Sequence, residues 1–202
     1  MSESTGVPAP WVRHVPNVLT VARMVIVPVF LVILFWRPDD PWWRFAATVV
    51  FSVGILTDLF DGKIARHYNI VSDFGKLWDP IADKALTGAA LIALSILWEL
   101  PWWITIIILV REWGITWMRV VMLKYAVMAA AMGGKWKTFL QSIALIVFLL
   151  GLWWMPLWAQ IVAWVIMSAA FLLTVVTGVM YVRDALALRT KARAKETVPS
   201  DE

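Results

Sequence analysis

Residues 42–66 read WWRFAATVVFSVGILTDLFDGKIAR. No charge interrupts residues 45–57, and then Asp58, Asp61, Lys63 and Arg66 follow in quick succession. A long apolar run that ends abruptly in charge is the pattern of a membrane helix reaching an aqueous boundary. Working outward, six such apolar stretches can be read, at about residues 18–36, 42–60, 77–97, 102–125, 139–154 and 157–182. Each is close to the roughly 20 residues that span a bilayer at the helical rise. The breaks fall at Arg37-Pro38-Asp39-Asp40-Pro41, Glu99-Leu100-Pro101, Gly133-Gly134 and Met155-Pro156, where Pro and Gly punctuate the chain.

Composition supports the same class. Of 202 residues, 61% are hydrophobic and 16% charged, with a mean hydropathy of +0.77. A soluble domain of this size needs a larger polar surface than these residues can cover. The expectation is an all-α polytopic membrane protein of six transmembrane helices, both termini cytoplasmic, with a polar cavity open to the cytoplasmic side. Residues 1–15 would be an N-terminal tail, 16–183 the transmembrane catalytic domain, and 184–202 a basic tail ending as frayed helix and disordered chain. The N-terminal residues lack the basic segment and Ala-x-Ala site of a cleaved signal, so the first apolar run reads as a retained helix.

Lysine and arginine set the orientation. Arg13, Lys63, Arg66, Lys76, Lys135, Lys137 and the tail residues Arg189, Lys191, Arg193 and Lys195 fall on the side of the termini. The opposite loops hold only Arg37 and Arg44. Trp36, Trp42, Trp43, Trp98, Trp102, Trp103, Trp153, Trp154 and Trp158 fall at that opposite face, as an interfacial aromatic belt would. The net charge of +4 therefore reads as cytoplasmic loops facing anionic lipid, not as a nucleic-acid surface. The location expected is a bacterial inner membrane, with the cavity facing the cytoplasm and membrane lipids as surroundings.

With no Cys and only His14 and His67, disulfides, thiolate chemistry and multi-His metal sites are excluded. A bound metal would have to be hard and held by carboxylates. Charged residues collect at the cytoplasmic ends of the first four stretches and nearly vanish from the last two. Asp58 and Asp61 are three apart, and Asp79 and Asp83 are four apart, so each pair shares a helix face. A short connection makes the two helices antiparallel neighbours. Four converging carboxylates repel unless cations neutralise them. Two divalent ions, Mg²⁺ or Mn²⁺, would do so and would suit a phosphate-chain substrate. Gly62 and Ala65 leave room at the backbone, Gly75 permits a turn or close helix approach, and Arg66 can meet a phosphate with two hydrogen bonds.

The pattern Asp58-x-x-Asp61-Gly62-x-x-Ala65-Arg66, then eight residues, then Gly75-x-x-x-Asp79-x-x-x-Asp83 resembles the signature of the CDP-alcohol phosphatidyltransferases at all eight fixed positions. The resemblance implies that Asp58, Asp61, Asp79 and Asp83 hold two divalent metals and that Asp83 is also the general base. It implies that Asp61, Gly62, Ala65 and Arg66 line the CDP head-group site of CDP-diacylglycerol. An acceptor hydroxyl would then attack the phosphorus next to the diacylglycerol, with CMP leaving. Gly75 and the one-face trio Asn17, Thr20 and Arg23 are assigned to the same donor-binding region. A capping Asn and a snorkelling Arg are the alternative for that trio.

Arg111 and Arg119 lie two turns apart on the fourth stretch, within about 80° of each other at 3.6 residues per turn. Gly133-Gly134-Lys135-Trp136-Lys137-Thr138 opens the fifth, where a helix N-terminus and two Lys favour an anion. Arg111, Arg119, Lys135, Lys137 and Thr138 together read as a second phosphate site. An Arg111–Glu112 ion pair is the alternative for the first of them. These segments also resemble the branch of the family whose acceptor is sn-glycerol 3-phosphate. Branches using inositol phosphate or phosphatidylglycerol are the nearest rivals, and a divalent-cation transporter is the rival from another class. Gly88, Ala89 and Ala93 suit close helix packing, within one chain or between two. Dimers occur in the family, so a homodimer is expected.

Overall fold

The computed structural model describes residues 15–68, 73–122 and 132–196. The elements are α1 (Val15–Trp36), α2 (Pro41–Tyr68), α3 (Asp73–Ile96), α4 (Trp102–Met122), α5 (Met132–Leu149), a single 3₁₀ turn (Leu152–Trp154) and α6 (Leu157–Glu196). The all-α expectation holds, and each of the six apolar stretches lies mainly within one helix.

Helix α2 runs on to Tyr68, α3 starts at Asp73 and α5 at Met132, beyond the apolar stretches read in the sequence, and three ends have a local reason. Helix α2 begins at Pro41 because the Asp40 carboxylate accepts a 2.9 Å hydrogen bond from the Trp42 N–H, with proline at the first helical position. Arg44, read as a loop residue, is therefore inside the helix and fully buried. Helix α5 stops short of residue 154 because Gly151 takes a φ of 90°, a left-handed conformation that ends helices. Helix α6 does not stop near residue 182 but runs on to Glu196, taking the first part of the basic tail into a 40-residue helix.

The chain divides into two compact units, residues 1–97 with 149–151, and residues 98–148 with 152–202. In the first, α1 packs on α2 and α3, and α2 on α3. The Phe30 and Phe51 rings lie 5.6 Å apart, both fully buried. Gly54 sets the closeness of this packing. A Cβ there would lie 2.6 Å from Leu86 Cδ2 and 3.2 Å from Ile26 Cγ2. Gly88 and Ala93 are buried within the single chain, so their small size serves internal packing. In the second unit, α4 packs on α6 through an edge-on Trp103–Phe171 pair at 5.3 Å. Phe148 of α5 meets Trp164 of α6 edge-on at 5.1 Å. Ala163, Met167, Ala170 and Thr174 form one buried stripe along α6, at the spacing of a single helix face.

The outward faces are apolar. Val21, Val25, Val29 and Val32 of α1 and Phe45, Val49, Val53 and Leu56 of α2 are all exposed. Contiguous exposed apolar surface of this kind is foreign to a soluble monomer. Among the described residues, α6 is long and apolar enough to cross a membrane over Leu157–Ala187, and only 28% of its most apolar window is buried. A soluble core helix would be mostly buried. All nine tryptophans of the expected belt except Trp43 are exposed.

Candidate active site

The carboxylate motif is carried by two helices of the first unit. Asp58, Asp61, Gly62, Ala65 and Arg66 lie on the last turns of α2, which continues unbroken to Tyr68. Gly75, Asp79 and Asp83 lie on the first turns of α3. The 3- and 4-residue spacings are therefore helical, and each Asp pair shares a face. The side chains of residues 58–83 lie outside the described residues, and so does the convergence of the four carboxylates. Among the residues whose side chains are described, no group of three or more His, Cys, Asp or Glu could hold a metal. The donor set of the motif, four carboxylates and no sulfur or imidazole, fits a hard divalent cation.

Asn17, Thr20 and Arg23 fall on α1, which starts at Val15, so Asn17 lies inside the first turn and not at the cap. The Asn17 and Thr20 side chains are outside the described residues. Arg23 is 5% exposed, which replaces the snorkelling alternative with a buried guanidinium in the first unit.

The second unit assembles part of the expected phosphate site. Glu112 of α4 is its centre. Its Oε1 accepts from the Lys137 ammonium of α5 and lies 3.4 Å from Nη1 of Arg111 on α4. Arg111 Nη2 donates a 2.6 Å hydrogen bond to the Thr177 hydroxyl of α6. Lys137 is 2% exposed, and the Arg111 and Glu112 side chains are 14% and 19% exposed. Arg111 and Lys137 are thus brought together, with Glu112 as the spacer between two cations. The Arg111–Glu112 pair exists, and the three groups set two cations beside one carboxylate. Arg119 on α4 and Lys135 on α5 have side chains outside the described residues. Thr138 is exposed, and its carbonyl accepts 2.9 Å from the Ser142 hydroxyl.

Reading the sequence missed Gln141 of α5 and the share of α6. Thr177 is 6% exposed and Thr174 fully buried, both on α6. Gln141, one turn beyond Lys137, is 4% exposed, with an Oε1 that has no hydrogen-bond partner among the described residues. The signal was there as Thr174-x-x-Thr177-Gly178, a polar and small interruption of an apolar span. Hydroxyls that bond back to their own helix interrupt its apolar character only weakly, so this signal is faint.

Comparison with known proteins places these residues in context. A family model described as CDP-alcohol phosphatidyltransferase matches residues 13–183. The chain is 47% identical over 178 residues to a probable phosphatidylglycerophosphate synthase of Mycobacterium tuberculosis, covering 87% of this chain and 83% of that protein. It is 38% identical over 179 residues to a CDP-diacylglycerol–glycerol-3-phosphate 3-phosphatidyltransferase of Rickettsia bellii, covering 84% and 93%. Over 150 residues it is 39% identical to the protein of the same name from Bacillus subtilis, covering 68% and 77%.

Proposed function

Since the chain belongs to the CDP-alcohol phosphatidyltransferase family, we propose that it transfers the phosphatidyl group of CDP-diacylglycerol to sn-glycerol 3-phosphate, releasing CMP and forming phosphatidylglycerophosphate. The observation that carries the choice of acceptor is the cluster in which two cationic side chains, Arg111 and Lys137, converge beside one carboxylate. Cationic groups at that depth suit an anionic acceptor. Family membership sets aside the cation-transporter reading.

Asp58, Asp61, Asp79 and Asp83 would hold two divalent cations, Mg²⁺ or Mn²⁺. Cations held there would supply positive charge to offset that of a pyrophosphate and of a CMP leaving group. Asp83 takes the proton of the acceptor hydroxyl as its oxygen bonds to the phosphorus beside the diacylglycerol and the bond to CMP breaks. Asp61, Gly62, Ala65, Arg66 and Gly75, with Asn17, Thr20 and Arg23, hold the CDP-diacylglycerol. Arg111, Arg119, Lys135, Lys137 and Thr138 hold the acceptor phosphate and orient its hydroxyl. Six spans, both termini cytoplasmic and a cytoplasmic cavity belong to the same proposal. The exposed apolar faces of α1, α2 and α6 support it.

The test supplies CDP-diacylglycerol and one labelled acceptor at a time to membranes containing the protein. Release of CMP with glycerol 3-phosphate is expected. Turnover with inositol phosphate or phosphatidylglycerol instead would overturn the acceptor.

A further inference from the structure

Resting on that reading of Arg111 as a ligand of the acceptor phosphate, we propose that Thr177 and Gly178 of α6 form the seat that aims Arg111 and so set the affinity for a phosphorylated acceptor. A guanidinium has donors and no acceptor, so in the 2.6 Å contact Thr177 Oγ1 must accept from Arg111 Nη2. The threonine's own proton has a separate destination, the Leu173 carbonyl at 2.6 Å. The Thr174 carbonyl lies farther off, at 3.3 Å on the same side, so the proton stays on its own helix and the oxygen is left to accept from Arg111.

The stem is constrained as tightly as the head. A Cβ on Gly178 would lie 3.1 Å from Arg111 Cγ and 3.7 Å from its Nε, so the side chain crosses α6 where any larger residue would push it aside. On α4 itself Arg111 has the longer 3.4 Å contact to Glu112. Charge-assisted bonds weaken with length, so the α6 seat is the tighter of these two constraints. A long side chain held in one rotamer before the anion arrives loses less freedom on binding it. Thr177 and Gly178 are therefore positioning residues for the acceptor.

The test uses the full chain in proteoliposomes, varying CDP-diacylglycerol and glycerol 3-phosphate separately. Thr177→Val is expected to raise KM for glycerol 3-phosphate about tenfold, the value of one hydrogen bond to a charged group. KM for CDP-diacylglycerol and kcat should stay within about threefold, and Thr177→Ser should restore acceptor KM to within about threefold of the parent. Gly178→Ala should raise the same KM several-fold, and it carries the measurement alone if the valine variant does not fold. In an Arg111→Gln background, Thr177→Val should add nothing, because the two act as a unit.

An unchanged acceptor KM in Thr177→Val, or in Gly178→Ala, overturns the seat, as do losses that add in the double variant. If Arg111→Gln raises acceptor KM while the α6 variants are silent, only the seat fails. If Arg111→Gln leaves acceptor KM untouched, the phosphate role of Arg111 fails and the seat with it.

Discussion

Lys137 of α5 and Glu112 of α4 form an ion pair inside the second unit, with the lysine 2% exposed. A pair this deep contributes mainly through what its loss would leave behind. Removing one member leaves the other largely buried without its nearest opposite charge. The same Glu112 oxygen also faces Arg111, so one carboxylate tethers two helices and spaces two cations.

Glu112→Gln should therefore destabilise the protein by roughly 3 kcal/mol, read as a lower unfolding midpoint in detergent. Adding Lys137→Met should recover most of that stability without recovering affinity for glycerol 3-phosphate. A single variant that unfolds with the parent would show that the pair holds nothing together.

Asp83→Asn should leave CDP-diacylglycerol and metal binding largely in place while turnover falls by about 10² to 10⁴, the usual contribution of a positioned general base. Equilibrium binding beside single-turnover kinetics separates the two. Rates like those of the parent would remove Asp83 as the base.

Gly54 should tolerate no side chain. A Cβ there meets Leu86 Cδ2 at 2.6 Å, so Gly54→Ala should cost about 1 to 3 kcal/mol of overpacking strain. Shortening the obstacle with Leu86→Ala in the same chain should return part of it, a coupling that only direct contact produces. Denaturant midpoints of the two singles and the double give the answer.

Leu172 of α6 is 61% exposed. In water, Leu172→Arg would be nearly neutral, but at a bilayer midplane it should cost about 3 kcal/mol. The fraction of protein resisting alkaline extraction from membranes should fall. An unchanged fraction would argue that this face of α6 does not meet lipid.

The six helices and the helical spacing of the Asp motif were legible in the sequence because both depend on short-range periodicity. Residues 42–66 alone carry an apolar run, a charge boundary and a DxxD face. Helix ends were less legible, because they depend on single contacts. Asp40 capping Trp42 fixes where α2 starts, and the left-handed Gly151 cuts α5 short. The Arg111–Thr177 contact joins residues 66 apart. No local pattern encodes it, since it exists only once α4 and α6 have packed. Arg111 invited attention because charge is rare in such a span, whereas Thr177 looked like filler.

Helix α6 is a ruler longer than the thing it measures. Its candidate span, Leu157–Ala187 with Arg183 and Asp184 near its end, rises about 46 Å at 1.5 Å per residue, against about 30 Å of hydrocarbon. The surplus must be absorbed by tilt, by burial of its ends among head groups, or by thickening of the surrounding lipid. Thr177 sits on this same rod and α4 packs against it, so a lean of α6 carries Arg111 and its seat together.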